Sequence, residues 1–248
     1  LVEKPRHAWG HSASPLLAGG KLLVHVLHMH GLDPATGETL WKTRIPERWG
    51  SSVPTAIGDT DVAVTPSGHI VRVSDGKILT GGIGKLTYCA PLVHENIVYF
   101  IEHGGKAVKL PETAGDTVKA EILWTTKPHK DRYYASPVFH EGLIYAITQH
   151  NVFSVIDAAT GEVTLEKKLE LGKGTVYPSL AIAGDHLFVS SDNGTTMVFV
   201  PGSDPKLVAT NAFEPFRSTP VFVKGRIYIR ARKHLYCIGG CDRAEQKE

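Results

Sequence analysis

Six short segments of this 248-residue chain each bring an aromatic ring and a basic side chain together. They hold His7 and Trp9; Arg48 and Trp49; Lys85 and Tyr88; Arg132, Tyr133 and Tyr134; Lys173 and Tyr177; and Phe216 and Arg217. Rings supply large, rigid contact area and cations supply charge-assisted hydrogen bonds. Gathered on one surface, they would suit an acidic or aromatic ligand, a carbohydrate or an extended peptide. The plainer alternative makes the rings packing wedges and the cations their solvated neighbours. The residue types alone leave both open.

Histidine offers a second kind of chemistry. The run His25-Val26-Leu27-His28-Met29-His30 sets imidazoles two residues apart, hence on one face of a strand, and neutral imidazole is a common zinc or copper ligand. His28 and His30 are the candidate pair. His69, His103, His150 and His234 stand in comparable turns elsewhere, too far apart to share an ion with them. With no Cys-x-x-Cys or His-Glu-x-x-His pattern, solvated turns are the plainer reading, and no metal is expected.

Catalytic patterns are missing. Asp59, Asp61, Asp131, Asp185 and Asp192 lie among turn residues, where carboxylates bond backbone amides rather than work as acid and base. No Gly-x-Ser-x-Gly elbow occurs, and Gly81–Lys85 (GGIGK) lacks the Ser or Thr and the strand-to-helix setting of a phosphate loop. No catalytic residue is expected.

The elements that must position these residues come from a repeat. A proline, an apolar stretch, a polar turn and a second apolar strand recur at Pro15, Pro54, Pro91, Pro137, Pro178 and Pro220, at intervals of 39, 37, 46, 41 and 42 residues. Each unit continues through a third strand and a tight turn into a fourth, clearest in GLDPATGETLW (Gly31–Trp41) and VIDAATGEVTL (Val155–Leu165). Asp33 and Asp157 can accept from amides ahead of them, and Gly37 and Gly161 can take the positive φ that closes the turn. Alternating strands dominate and helical periodicity is nearly absent, so the class is all-β.

Four-stranded units of about 41 residues have the length of propeller blades. The expected fold is a β-propeller of four-stranded antiparallel blades, six favoured, seven or eight if the chain is a fragment. The last unit shows three strands, and Leu1–His7 precedes the first unit as an orphan strand, so the ends are expected to complete one blade and remove an exposed edge. Residues 1–240 form one domain and 241–248 a tail. In such a ring the loops from one blade's outermost strand to the next blade's innermost strand surround the axial opening, and the six aromatic and basic segments fall in those loops.

Composition narrows the partners. With 42% hydrophobic and 21% charged residues the chain can bury a core, and no apolar run is long enough for a membrane helix. A net charge of +2, from 27 basic and 25 acidic residues, gives no reason to expect nucleic acid as a partner. Three cysteines, Cys89, Cys237 and Cys241, are too few for a disulfide scaffold; Cys237 and Cys241 suit either a small-loop disulfide or free thiols. No signal peptide opens the sequence at Leu1, which fits a cytosolic protein, or an exported one met as its mature chain or an excised domain.

The motif Leu/Ile-Asp-x-x-Thr-Gly-Glu, sharp in units one and four, with Leu-Trp after it in unit one and again at Leu123-Trp124 in unit three, resembles the repeat of the PQQ-like (quinoprotein) propeller family. The units together span almost the whole chain. The resemblance implies a propeller that is exported or periplasmic in bacteria. The family holds both quinone-cofactor dehydrogenases and non-catalytic members such as the outer-membrane-barrel assembly lipoprotein, and fold transfers between them while activity does not. Dehydrogenases of the family carry adjacent cysteines and a calcium site of Glu, Asn and Asp; this chain has no Cys-Cys pair, so no cofactor is expected. The reading is a non-catalytic binding or scaffold propeller whose loop face takes a protein or polymer partner. The alternatives are a quinoprotein-type or metal-dependent enzyme with a degenerate site, and a structural or sensory domain of a larger exported chain.

Overall fold

Two-residue hairpin turns set the geometry of every unit. Gly19-Gly20, Glu141-Gly142 and Lys224-Gly225 all have positive φ at both turn residues, the combination whose twist matches that of the paired strands. The computed structural model describes residues 3, 4, 6–8 and 10–239, and its regular structure is entirely β-strand. Six antiparallel meanders follow in chain order: blade 1 (residues 16–43), blade 2 (53–80), blade 3 (92–126), blade 4 (138–168), blade 5 (181–212) and blade 6 (221–239). The first five have four strands and the sixth has three among the described residues. Each four-stranded blade carries a register shift between its third and fourth strands, which adds to the blade's twist.

Innermost strands of successive blades lie side by side, and the blade faces enclose the core. The sequence motif shows its purpose at the outer rim. Asp33 and Asp157 each accept two backbone amides within their turns. The glycine that closes such a turn receives the fourth-strand tryptophan of the preceding blade. Trp41 Nε1 donates to Val73 O at 2.9 Å beside Gly76, and Trp124 Nε1 donates to Ala158 O at 3.0 Å beside Gly161.

Near the axis a different link recurs. Ser14 N donates to Ser51 Oγ (2.8 Å), Ala90 N to Ser136 Oγ (3.0 Å), Ser136 N to Ser179 Oγ (3.1 Å) and Ser179 N to Thr219 Oγ1 (3.0 Å). These bonds also correct the repeat's register. By strand pairing, Leu180 stands where the other blades have proline, and Pro178 lies two residues earlier. Unlike proline, Leu180 has an N–H, and it donates to Ser136 O at 3.3 Å.

The expected completion of the last blade by Leu1–His7 falls partly outside the described residues. Of that segment, Glu3, Lys4, Arg6 and His7 belong to no strand, and Glu3 bonds the hairpin of blade 1. Blades 1 and 6 each leave apolar side chains in solvent, with Leu17 69% and Val221 54% exposed. The expected boundary between the domain of residues 1–240 and the tail of residues 241–248 also lies outside the described residues.

Two glycines separate backbone strain from tryptophan docking. Gly142 and Gly161 both have φ of +78°, but a Cβ at Gly142 would meet open space, whereas one at Gly161 would stand 2.5 Å from the Trp124 ring. Gly142→Ala is expected to lose about 1 kcal/mol and Gly161→Ala about 3 kcal/mol in urea unfolding. Equal losses would show that Trp124 docking contributes little.

Candidate functional site

The loops that enter each innermost strand converge on a cavity of about 900 Å³, to which all six blades contribute. Its mouth carries aromatic rings in blade order. His7 lies 5.4 Å from Trp49, Trp49 5.6 Å from Tyr88, Tyr88 4.8 Å from Tyr134 and Tyr134 4.9 Å from Tyr177, between ring centroids. The Arg217 guanidinium closes the series 4.3 Å above the Tyr177 ring, a cation–π contact. These half-buried rings form a collar around the axis. Below it lie hydroxyls, among them Ser51, Ser136, Ser179 and Thr219 from the inter-blade links.

Five of the sequence-derived candidates therefore line one cavity: Trp49, Tyr88, Tyr134, Tyr177 and Arg217. Arg132 sits at the rim, its Nη1 donating to Tyr134 Oη at 3.3 Å. Tyr133 and Phe216 do not reach the cavity: they are 3% and 1% exposed and pack in the core, with Tyr133 Oη donating to His129 O at 2.8 Å. Successive side chains in extended backbone point to opposite sides, so presenting Tyr134 and Arg217 to the axis turns their neighbours inward. Lys85 and Lys173 are exposed and lie outside the lining. Arg48 is half-buried and donates to Glu47 O; burial raises the Glu102 carboxyl pKa, and the nearby Lys85 and Arg48 charges oppose that rise. Trp9 lies outside the described residues. The hydroxyl floor was missed by the sequence reading, although Ser14 and Ser136 before their prolines were the available signal.

His28 and His30 converge on a carboxylate. His28 Nδ1 lies 2.7 Å from Glu3 Oε1 and His30 Nε2 3.4 Å from Oε2, while Lys42 Nζ is 2.8 Å from Oε1. Glu3 Oε2 also accepts from the Leu27 and His28 amides. Glu214 holds the blade 6 hairpin in the same way, through the Lys233 and His234 amides and His234 Nδ1, and Asp131 bonds Gln149 and His150. These hairpin histidines are thus ends of inter-element latches. Among the described residues, no group of three His, Cys, Asp or Glu side chains is placed to hold a metal ion. Backbone and imidazole donors draw the Glu214 carboxyl down to about 2.

The family described as outer membrane protein assembly factor BamB matches residues 2–203. The chain belongs to the BamB family of PQQ-like propellers. BamB of Moraxella catarrhalis is similar in fold at 13% identity, with a TM-score of 0.69 over 90% of this chain and 70% of that one. The computationally designed Ika8 protein is similar at 12% identity and TM-score 0.56, over 92% of this chain and 83% of that one. A europium-containing methanol dehydrogenase is similar at 12% identity and TM-score 0.58, over 82% of this chain and 51% of that one. No curated protein sequence matches.

The quinone cofactor of the dehydrogenase members does not fit these residues. A planar quinone needs an open ring face to stack on, whereas the collar's rings mostly cover one another. No carboxylate lines the cavity among the described residues, so the acidic calcium set has no counterpart there.

His11 lines the cavity, and His25 packs behind it, with ring centroids 6.4 Å apart. Burial is the main cause holding the His25 pKa down at about 4. Because the folded pKa lies below the ordinary 6.5, its neutral form is favoured by folding. Stability is full above pH 6.5 and falls as pH drops towards about 4, by up to about 1.4 kcal/mol per pH unit. The matching strand position in blades 3 and 4 is Ile101 and Ile147, so His25→Ile should flatten that slope. Urea titrations at several pH values check it; an unchanged slope would assign the effect to other groups.

Proposed function

We propose that this chain is a non-catalytic binding propeller, exported to the bacterial envelope, that holds a protein or polymer partner at its axial cavity. The observation that carries this reading is the collar: four rings from four successive blades, capped by Arg217, stand half-exposed around a cavity shared by all six blades. A monomer core has no need of such a rim, and rigid rings beside arginine are the usual anchors of binding surfaces. Membership of the BamB family supports a scaffold role, and assembly at the outer membrane, the role that the family's description names, comes to this chain as part of the proposal. Among the described residues, the cavity's ionisable lining, His11, three tyrosines and Arg217, supplies no carboxylate to pair as acid or base.

Cross-linked capture from envelopes of the native source tests the reading, comparing wild type with Trp49→Ala and Tyr134→Ala. Loss of a buried ring anchor should weaken a specific partner's binding by about 30-fold, near 2 kcal/mol, with the unfolding midpoint little changed. Equal capture by wild type and both variants would remove the cavity from the binding surface.

A further inference from the structure

The orientation of the collar rings defines what the cavity can recognise. Trp49 and Tyr88 are inclined by 30° and Tyr134 and Tyr177 by 13°, both stacked pairs, so ring faces turn towards their neighbours along the circumference. Rings laid face to face around a circle turn their edges to its centre. One joint departs from this, since Tyr88 and Tyr134 meet at 72°, edge to face, which covers a face of one ring only. The two ends are covered as well, Trp49 by His7 and Tyr177 by Arg217. Ring edges carry the positive end of the aromatic quadrupole and attract oxygen acceptors rather than other π-faces.

The floor has the same polarity. Ser51, Ser136, Ser179 and Thr219 each receive a neighbouring backbone N–H on the hydroxyl oxygen, which leaves the hydroxyl proton to donate. Tyr134 Oη likewise accepts from Arg132, keeping its own proton. Arg217 gives Nε and Nη2 to Asp192 Oδ2 at 3.3 Å, and its side chain is 62% exposed, with Nη1 uncommitted to that carboxylate. The cavity is thus biased to donors and positive charge, with no carboxylate in its lining among the described residues.

We infer that the cavity recognises an acidic peptide segment, its carboxylates meeting the hydroxyl donors and Arg217. The inference rests on the cavity being the binding site and names the chemistry of its occupant. An acidic sugar is the less suited source of carboxylate, because pyranose rings dock on open aromatic faces and most of the collar's faces are shared with a neighbouring ring or with Arg217.

Calorimetric titration of the whole chain tests this with a short poly-L-glutamate, a Gly-Ser peptide of equal length, polygalacturonate and naphthoate. Poly-L-glutamate should bind, weakening with salt, while the neutral peptide does not. Arg217→Gln should weaken that binding about tenfold and Arg217→Lys should restore part of it. Tyr134→Phe should weaken it about threefold by removing one donor. Equal binding of poly-L-glutamate and Gly-Ser peptide, or indifference to Arg217→Gln, would overturn the inference. Preference for polygalacturonate would overturn the peptide as source, and tight binding of naphthoate would overturn the edge-on collar. If Trp49→Ala abolishes partner capture while poly-L-glutamate fails to bind, the cavity remains the binding site and only its acidic occupant is refuted.

Discussion

Ser136 and Ser179 are each tied into the ring twice, by the hydroxyl oxygen that accepts from one neighbouring blade and by the amide that donates to the next. Innermost strands are short, three to five residues, and bury little surface of their own. Their spacing around the axis is therefore fixed by these single hydrogen bonds and by the loops that carry them. The collar depends on that spacing. Tyr134 and Tyr177 precede the linked serines by two residues, so a bond that brings Ser136 N to Ser179 also brings the two rings to 4.9 Å. Between blades 2 and 3 the link has no hydroxyl, because Ala90 fills the position, and backbone bonds take over: Trp49 N donates to Thr87 O and Leu86 N to Pro66 O.

The outer rim is held by larger contacts. Trp41 and Trp124 bury indole against the turn glycines of the next blade and spend their only polar hydrogen on a backbone carbonyl. Carboxylate latches at Glu3, Asp131 and Glu214 fasten hairpins on the cavity side of the fold.

Much of this was legible in the residues. The prolines, the Asp-x-x-Thr-Gly turns and the Leu-Trp pairs gave the meanders their boundaries, because each residue type has one backbone task there. Tyr88, Tyr134, Tyr177 and Arg217 were legible as a set because they recur at one place in the repeat, with Trp49 two residues earlier in its loop. Tyr133 and Phe216 were not separable from them, since which of two adjacent aromatic or basic residues faces the axis depends on strand direction at the loop's end. Pro178 misled for a related reason: one proline resembles another in sequence, and only strand pairing shows that it lies two residues out of step. The partners of His28, His150 and His234 lie 19 to 25 residues away and have no spacing signature.

The axial link has a bearing on how such a protein can change in size over evolutionary time. A unit such as blade 5 brings both halves of the joint on one residue: a hydroxyl to receive its predecessor and an amide to engage its successor. A copy inserted beside it would find a compatible partner on either side without compensating substitutions. Tandem duplication or loss of whole units is thereby a tolerated genetic step, whereas a joint divided between two different residues would require paired mutations at each event.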